Sequence, residues 1–133
     1  MSEIHDNIIK SYYVNLEKRI ILFNTVYYCN DIYEETAIEF NNVMGHLFTY
    51  ETKDSIIFDI EKYTIEDYIK YVLDGGKILN ELENYDFPFK YEDEQELIEN
   101  LKQNNQNYFI INSSYGLGGW VLAEEMKISV KKL

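Results

Sequence analysis

One cysteine, one proline and two histidines occur in 133 residues. A lone thiol, Cys29, closes no internal disulfide and supplies no cysteine-based zinc site. Basic residues are scarce as well: 12 Lys+Arg stand against 24 Asp+Glu, a net charge of −12 with a pI near 4.5. That balance argues against a direct grip on nucleic acid, which needs clustered Lys and Arg. No apolar run approaches the ~20 residues of a membrane span. Met1-Ser2-Glu3-Ile4-His5-Asp6 lacks the basic start and apolar stretch of a signal peptide. In contrast, 46% of the residues are hydrophobic and 16% aromatic, too many for a disordered acidic tail. The expectation is one soluble, cytoplasmic domain over residues 1–133, free of membrane and nucleic acid.

The acid is unevenly placed. Residues 1–50 carry −4, residues 51–100 carry −10, and residues 101–133 carry +2. A block of that kind attracts cationic partners and speeds their approach, although an acidic surface also serves solubility alone.

The apolar pattern predicts an α+β fold, a largely antiparallel sheet of about six strands with two or three helices on one face. In residues 8–16, Tyr12, Val14 and Leu16 alternate with Ser11, Tyr13 and Asn15, the period of a half-buried strand. Glu17-Lys18 reads as a turn into a second strand over 19–28, rich in β-branched and aromatic residues. Residues 30–35 read as a polar loop before a third strand over 36–40. Residues 40–48 suggest a bend or one helical turn with Val43 and Leu47 inward. A strand over 55–60 then places Ile56, Phe58 and Ile60 toward the core.

Thr64 and Asp67 form a capping-box pattern, and Ile65, Tyr68, Ile69 and Val72 share one helical face. Glu66 and Lys70 are spaced for an i,i+4 ion pair. Gly75-Gly76 ends this helix, and a second helical piece runs to about Asn84. Pro88 marks a loop, and a helix over 94–103 is anchored by Leu97, Ile98 and Leu101. Strands follow at 108–112, 120–123 and 126–130.

Catalytic motifs are missing. His5 and His46 fall in no metal-ligand spacing, and no EF-hand loop is present. Cys29 reads as a partly buried, inert thiol, and Ser113-Ser114 does not form G-x-S-x-G. The expectation is therefore no enzyme, no cofactor and no metal. Glycines 116, 118 and 119 would suit either a phosphate-facing turn or a tight hairpin turn. The 13 tyrosines often adjoin acids: Tyr33 with Glu34 and Glu35, Tyr63 after Glu61, Tyr91 before Glu92 and Asp93. Tyrosine offers a large, stiff contact area with a polar tip, which suits binding hot spots.

Gly119-Trp120-Val121 is similar to the Gly-Trp-Val near the end of bacterial SH3-like barrels. More broadly, residues 36–48 (TAIEFNNVMGHLF), 57–60 (IFDI) and 114–123 (SYGLGGWVLA) resemble small Firmicutes proteins of similar length. With the Tyr–acid runs and the absence of catalytic motifs, the chain resembles the immunity proteins of bacterial polymorphic-toxin systems. The resemblance implies a non-enzymatic inhibitor that covers the active face of a toxin, often a basic nuclease. The acidic block then supplies the expected partner-binding residues: Asp67, Glu81, Glu83, Tyr91, Glu92, Asp93 and Glu94. Two other readings stay open: an accessory subunit using a sheet edge or apolar groove, and a small-ligand binder with a pocket near residues 116–119.

Overall fold

The computed structural model describes residues 4–73 and 94–131. Gly75-Gly76, the helical piece ending near Asn84 and the Pro88 loop lie outside the described residues. Eight strands are present among the described residues, all paired antiparallel: β1 (Ile8–Asn15), β2 (Ile20–Cys29), β3 (Ile32–Asn41), β4 (Gly45–Thr49), β5 (Ser55–Tyr63), β6 (Asn107–Tyr115), β7 (Gly118–Ala123) and β8 (Glu125–Lys131). The order across the sheet is β4-β7-β6-β5-β1-β2-β3-β8. Helix α1 (Ile65–Tyr68) runs on through a wider, π-type turn (Ile69–Leu73), and α2 (Glu94–Gln103) precedes β6.

The difference between six expected strands and eight observed ones has a simple cause. β3 and β4 are one chain segment bent at Asn42-Val43-Met44, and β7 and β8 are one segment interrupted only at Glu124. The two bent segments pair on both sides of the bend, from Glu35↔Lys131 to Asn41↔Glu125 and from Gly45↔Leu122 to Thr49↔Gly118. Glu124 N–H donates to Asn41 C=O at 3.0 Å and Met44 N–H to Leu122 C=O at 2.9 Å, which carries the ladder across the bend. One extra residue on the 41–45 side makes this corner a bulge, the usual device for turning a sheet. The pairings therefore close into a ring of six segments.

Inside the ring lie Ile9, Ile21, Phe23, Ile38, Phe40, Ile57, Phe109, Ile111, Val121 and Ala123, all buried. Phe23 is the hub, with ring centroids 5.4 Å from Tyr12, 5.4 Å from Phe48 and 6.2 Å from Phe40. A second apolar layer forms outside the wall. Tyr108, Trp120 and Leu122 point outward from β6 and β7, and Ile65, Tyr68, Ile69, Val72, Leu97 and Leu101 cover them. Tyr68 meets Trp120 edge-on at 5.0 Å and Tyr108 at 5.4 Å. Burial between the helices pushes the Tyr108 phenol up to about 12. The described helices thus sit on one sheet face, as the pattern predicts. The Thr64 cap forms too: Asp67 N–H donates to Thr64 Oγ1 at 3.1 Å, and Thr64 N–H to Asp67 Oδ2 at 3.2 Å.

Several local expectations fail. The 30–35 loop shrinks to a two-residue turn, Asn30-Asp31, with φ of 48° and 68°, and strand resumes at Ile32. Positive φ at both central positions is the signature of the I′ turn that matches strand twist. Residues 40–48 form strand, bulge and strand rather than a helical turn; Leu47 is exposed, and Phe48 packs on the core instead. Register shifts at Ile56/Ile57 and Ile57/Asp59 bury Ile57 and turn Phe58 out, because a one-residue slip exchanges faces. Cys29 is exposed. Glu66 pairs with Lys102 of α2 rather than with Lys70.

Candidate partner-binding surface

Five of the seven expected binding residues, Glu81, Glu83, Tyr91, Glu92 and Asp93, lie outside the described residues. Glu94 opens α2, and its side chain is likewise outside the description. Asp67 is described, and its carboxylate is occupied: Oδ2 accepts from Thr64 N–H and from Thr64 Oγ1 at 3.0 Å. It serves the helix cap, and the structure does not bring it together with an exposed tyrosine platform.

A different acid–tyrosine surface is present at the tip of the β2–β3 hairpin. Because the turn takes only two residues, the ladder continues to Cys29↔Ile32, with Tyr28↔Tyr33 and Tyr27↔Glu34 behind it. The tip carries Tyr28, Ile32 and Tyr33, which are 57%, 59% and 42% exposed. Tyr28 and Tyr33 pack against each other at 5.0 Å between centroids, their rings tilted by 58°. Tyr33 Oη donates to Glu35 Oε1 at 2.9 Å, and that bond raises the phenol's pKa. Asp31, Glu34 and Glu35 rim the aromatic pair, and none of the three forms an ion pair with Lys or Arg among the described residues. Tyr33, Glu34 and Glu35 stand out in the sequence; Tyr28 and Ile32 do not, since a polar loop over 30–35 hides their cross-strand meeting. The Asn-Asp dipeptide between two β-rich runs is the signal that marks it.

A second acidic row runs along the outer face of β5 and β6. Asn112 Nδ2 donates to Asp59 Oδ1 at 2.6 Å and to Glu61 Oε1 at 2.8 Å, and Tyr63 Oη donates to Glu61 Oε2 at 2.8 Å. These carboxylates are already engaged, and the tyrosine beside them, Tyr63, packs at 6.2 Å against the buried Tyr108.

No group of three His, Cys, Asp or Glu able to hold a metal occurs among the described residues. His5 Nδ1 sits 3.1 Å from Asp6 and edge-on to Phe58, and half-buried His46 has its pKa lowered by burial. Ser113 Oγ donates to Ile56 C=O at 3.2 Å. In the glycine-rich turn, Leu117 N–H donates to Ser55 Oγ at 2.9 Å, while Gly118 and Gly119 pair with Thr49 and Phe48 of β4. That backbone is committed to the fold, which favours the hairpin reading of these glycines over a phosphate cradle. A cavity of about 690 Å³ adjoins this turn, between β1 and the β4–β5 loop, with Ile9, Ser55 and Leu117 among its lining. No helix among the described residues is long and apolar enough to cross a membrane.

Compared with family models, curated proteins and solved structures, the chain finds no match.

Proposed function

We propose that this chain is a non-enzymatic binding domain of the immunity type, an inhibitor that occludes a basic protein with the β2–β3 hairpin tip. The observation that carries the reading is the juxtaposition of Tyr28, Ile32 and Tyr33 with Asp31, Glu34 and Glu35, carboxylates in no ion pair with Lys or Arg among the described residues. Two mutually packed tyrosines and an isoleucine provide contact area at small rotamer cost, while the rim of acids meets Lys and Arg of the partner. If the partner is a nuclease, those cations are the groups that hold phosphate, and pairing with them blocks the substrate. The net charge of −12 adds long-range attraction, so association is fast and salt-sensitive. The acidic run Tyr91, Glu92, Asp93 and Glu94 belongs to the same proposal as a second contact.

The test uses lysate of the native host passed over the tagged chain at low salt and eluted with a salt gradient. The expected result is one basic protein whose toxicity the chain suppresses on co-expression. Tyr28→Ser with Tyr33→Ser should weaken that complex by at least about tenfold while leaving the melting curve in place. Glu92→Lys, Asp93→Lys and Glu94→Lys together should mainly slow association. Suppression that survives the tyrosine double variant would remove the tip from the mechanism. Elution of ribosomal proteins alone would overturn the immunity reading.

A further inference from the structure

Between β1 and β5 the ring is held by two pairs, Ile8↔Ile56 and Ile9↔Ser55. Beyond them the strands diverge, and Lys10, Ser11 and Tyr12 face the 51–54 loop across a cavity of about 690 Å³. That volume falls within the range of about 300–1,000 Å³ typical of small-molecule sites. The fold fixes both walls. Ser55, which is 1% exposed, donates its hydroxyl to Thr52 C=O at 2.7 Å and accepts from Leu117 N–H at 2.9 Å, tying the loop to the glycine-rich turn. Gly116, with a φ of +79°, permits that approach, since a Cβ there would lie 2.3 Å from Ser55 Oγ. On the facing wall the Tyr12 ring stacks on Phe23 at 5.4 Å and meets Phe48 edge-on at 5.5 Å, while its hydroxyl bonds to the Glu51 carboxylate. The cavity is therefore preformed. Its four charged residues, Lys10, Glu51, Lys53 and Asp54, are exposed, whereas Ile9, Ser55 and Leu117 are buried, so charge stands at the rim with apolar surface behind it.

We infer that this cavity binds a small zwitterion, an amino acid or short peptide with a free ammonium and a free carboxylate. The charged rim selects it. Two lysines and two acids sum to zero there, within a chain of net charge −12. Among the described residues, Lys10, Lys53 and Asp54 form no ion pair, so both signs are open to a ligand. The field of the whole chain repels small anions and gathers cations without discrimination, but exerts no net force on a zwitterion. The ligand's ammonium meets Glu51 and Asp54, and its carboxylate meets Lys10 and Lys53, each through charge-assisted hydrogen bonds. The side chain that fits is apolar, because Ile9, Leu117 and the Tyr12 ring are what lies behind the rim. No residue of the hairpin tip lines the cavity, so the inference does not rest on the immunity reading.

The test is titration of the full chain with free leucine, free phenylalanine and the dipeptides they form, followed by amide chemical shifts and by the melting temperature. The expected result is that at least one probe binds with a Kd below about 1 mM, raises the melting temperature and moves the amides of Ser11 and of residues 51–55. Comparing amino acids with dipeptides distinguishes the two sizes of ligand. N-acetylated and C-amidated forms of the same probe, each lacking one charge, should bind at least about tenfold more weakly. Lys53→Gln with Asp54→Asn, both at exposed sites, should weaken binding by a similar factor and leave the melting curve of the free chain unchanged. Absence of binding by every probe at about 10 mM would overturn the inference. An acetylated probe that binds as well as the free one would overturn it too, as would shifts that fall away from residues 51–55. Tyr28→Ser with Tyr33→Ser should leave probe binding intact, so the cavity and the hairpin tip fail or stand separately.

Discussion

Gly118 and Gly119 are neighbours in sequence with opposite tolerances. A Cβ on Gly119 would lie 1.9 Å from Leu47 C=O oxygen and 3.0 Å from Phe48 Cα, and its φ of +148° is one that side-chain-bearing residues rarely adopt. Both obstacles are backbone of the paired strand β4, which has no rotamer to yield. Gly119→Ala should therefore cost about 3 kcal/mol, the sum of strain and overpacking. On Gly118 the nearest atoms are Ile111 C=O oxygen at 3.2 Å and Ser113 Cβ at 3.4 Å, with no backbone strain. Gly118→Ala should cost under about 1 kcal/mol. Denaturant melts of the two variants check this, and equal losses would refute the close approach at Leu47. The sequence shows only that three glycines cluster. Which one is pressed against another strand depends on the β4–β7 register, and β4 lies some seventy residues away in the chain.

At the scale of elements, α1 is the part most plainly written in the sequence. Thr64 and Asp67 cap each other, and Ile65, Tyr68, Ile69 and Val72, chosen by spacing alone, are all buried against the outer wall. Because α1 is a single turn before it widens, its cap carries much of its local stability. Thr64→Ala should destabilise by about 1 kcal/mol, with Thr64→Ser restoring most of the loss. Trp120 is the only tryptophan and touches Tyr68, so its emission reports this layer directly. An unaltered midpoint of the Trp120 transition in Thr64→Ala would sink the argument. The hairpin tip was half visible: Tyr33, Glu34 and Glu35 stand together in the chain, whereas Tyr28 joins them only through the ladder across Asn30-Asp31. Polarity made residues 30–35 read as loop, but an I′ turn needs two residues, and strand pairing outweighs the weak β-propensity of Glu34 and Glu35.

The whole molecule sets a closed, apolar-filled ring against a large negative charge. Residues 51–100 alone hold −10, and among the described residues Glu66 and Glu125 each meet a lysine. Mutual repulsion of the remaining carboxylates opposes the compact state, and salt screens it. Raising sodium chloride from low to physiological and higher concentration should raise the melting temperature by about 4 °C, the shift that ~1 kcal/mol produces in a domain of this size. A melting temperature that stays flat or falls with salt would show that the acids are paired or too far apart to matter.

Composition and local periodicity sufficed for the sheet-rich character, the β1–β2 hairpin, the one-sided helices and the acidic field. These follow from period-two and period-3.6 patterns and from charge, which need no knowledge of neighbours. Tertiary structure alone decided that six segments close into a ring, that Ile57 rather than Phe58 faces the core, and that Leu47 is exposed. It also decided that Tyr28 meets Tyr33 across the hairpin. The reason is the same in each case. A bulge or bend shifts the register by one residue and exchanges the faces of everything beyond it, and its position is set by the partner strand rather than by the residues that carry it.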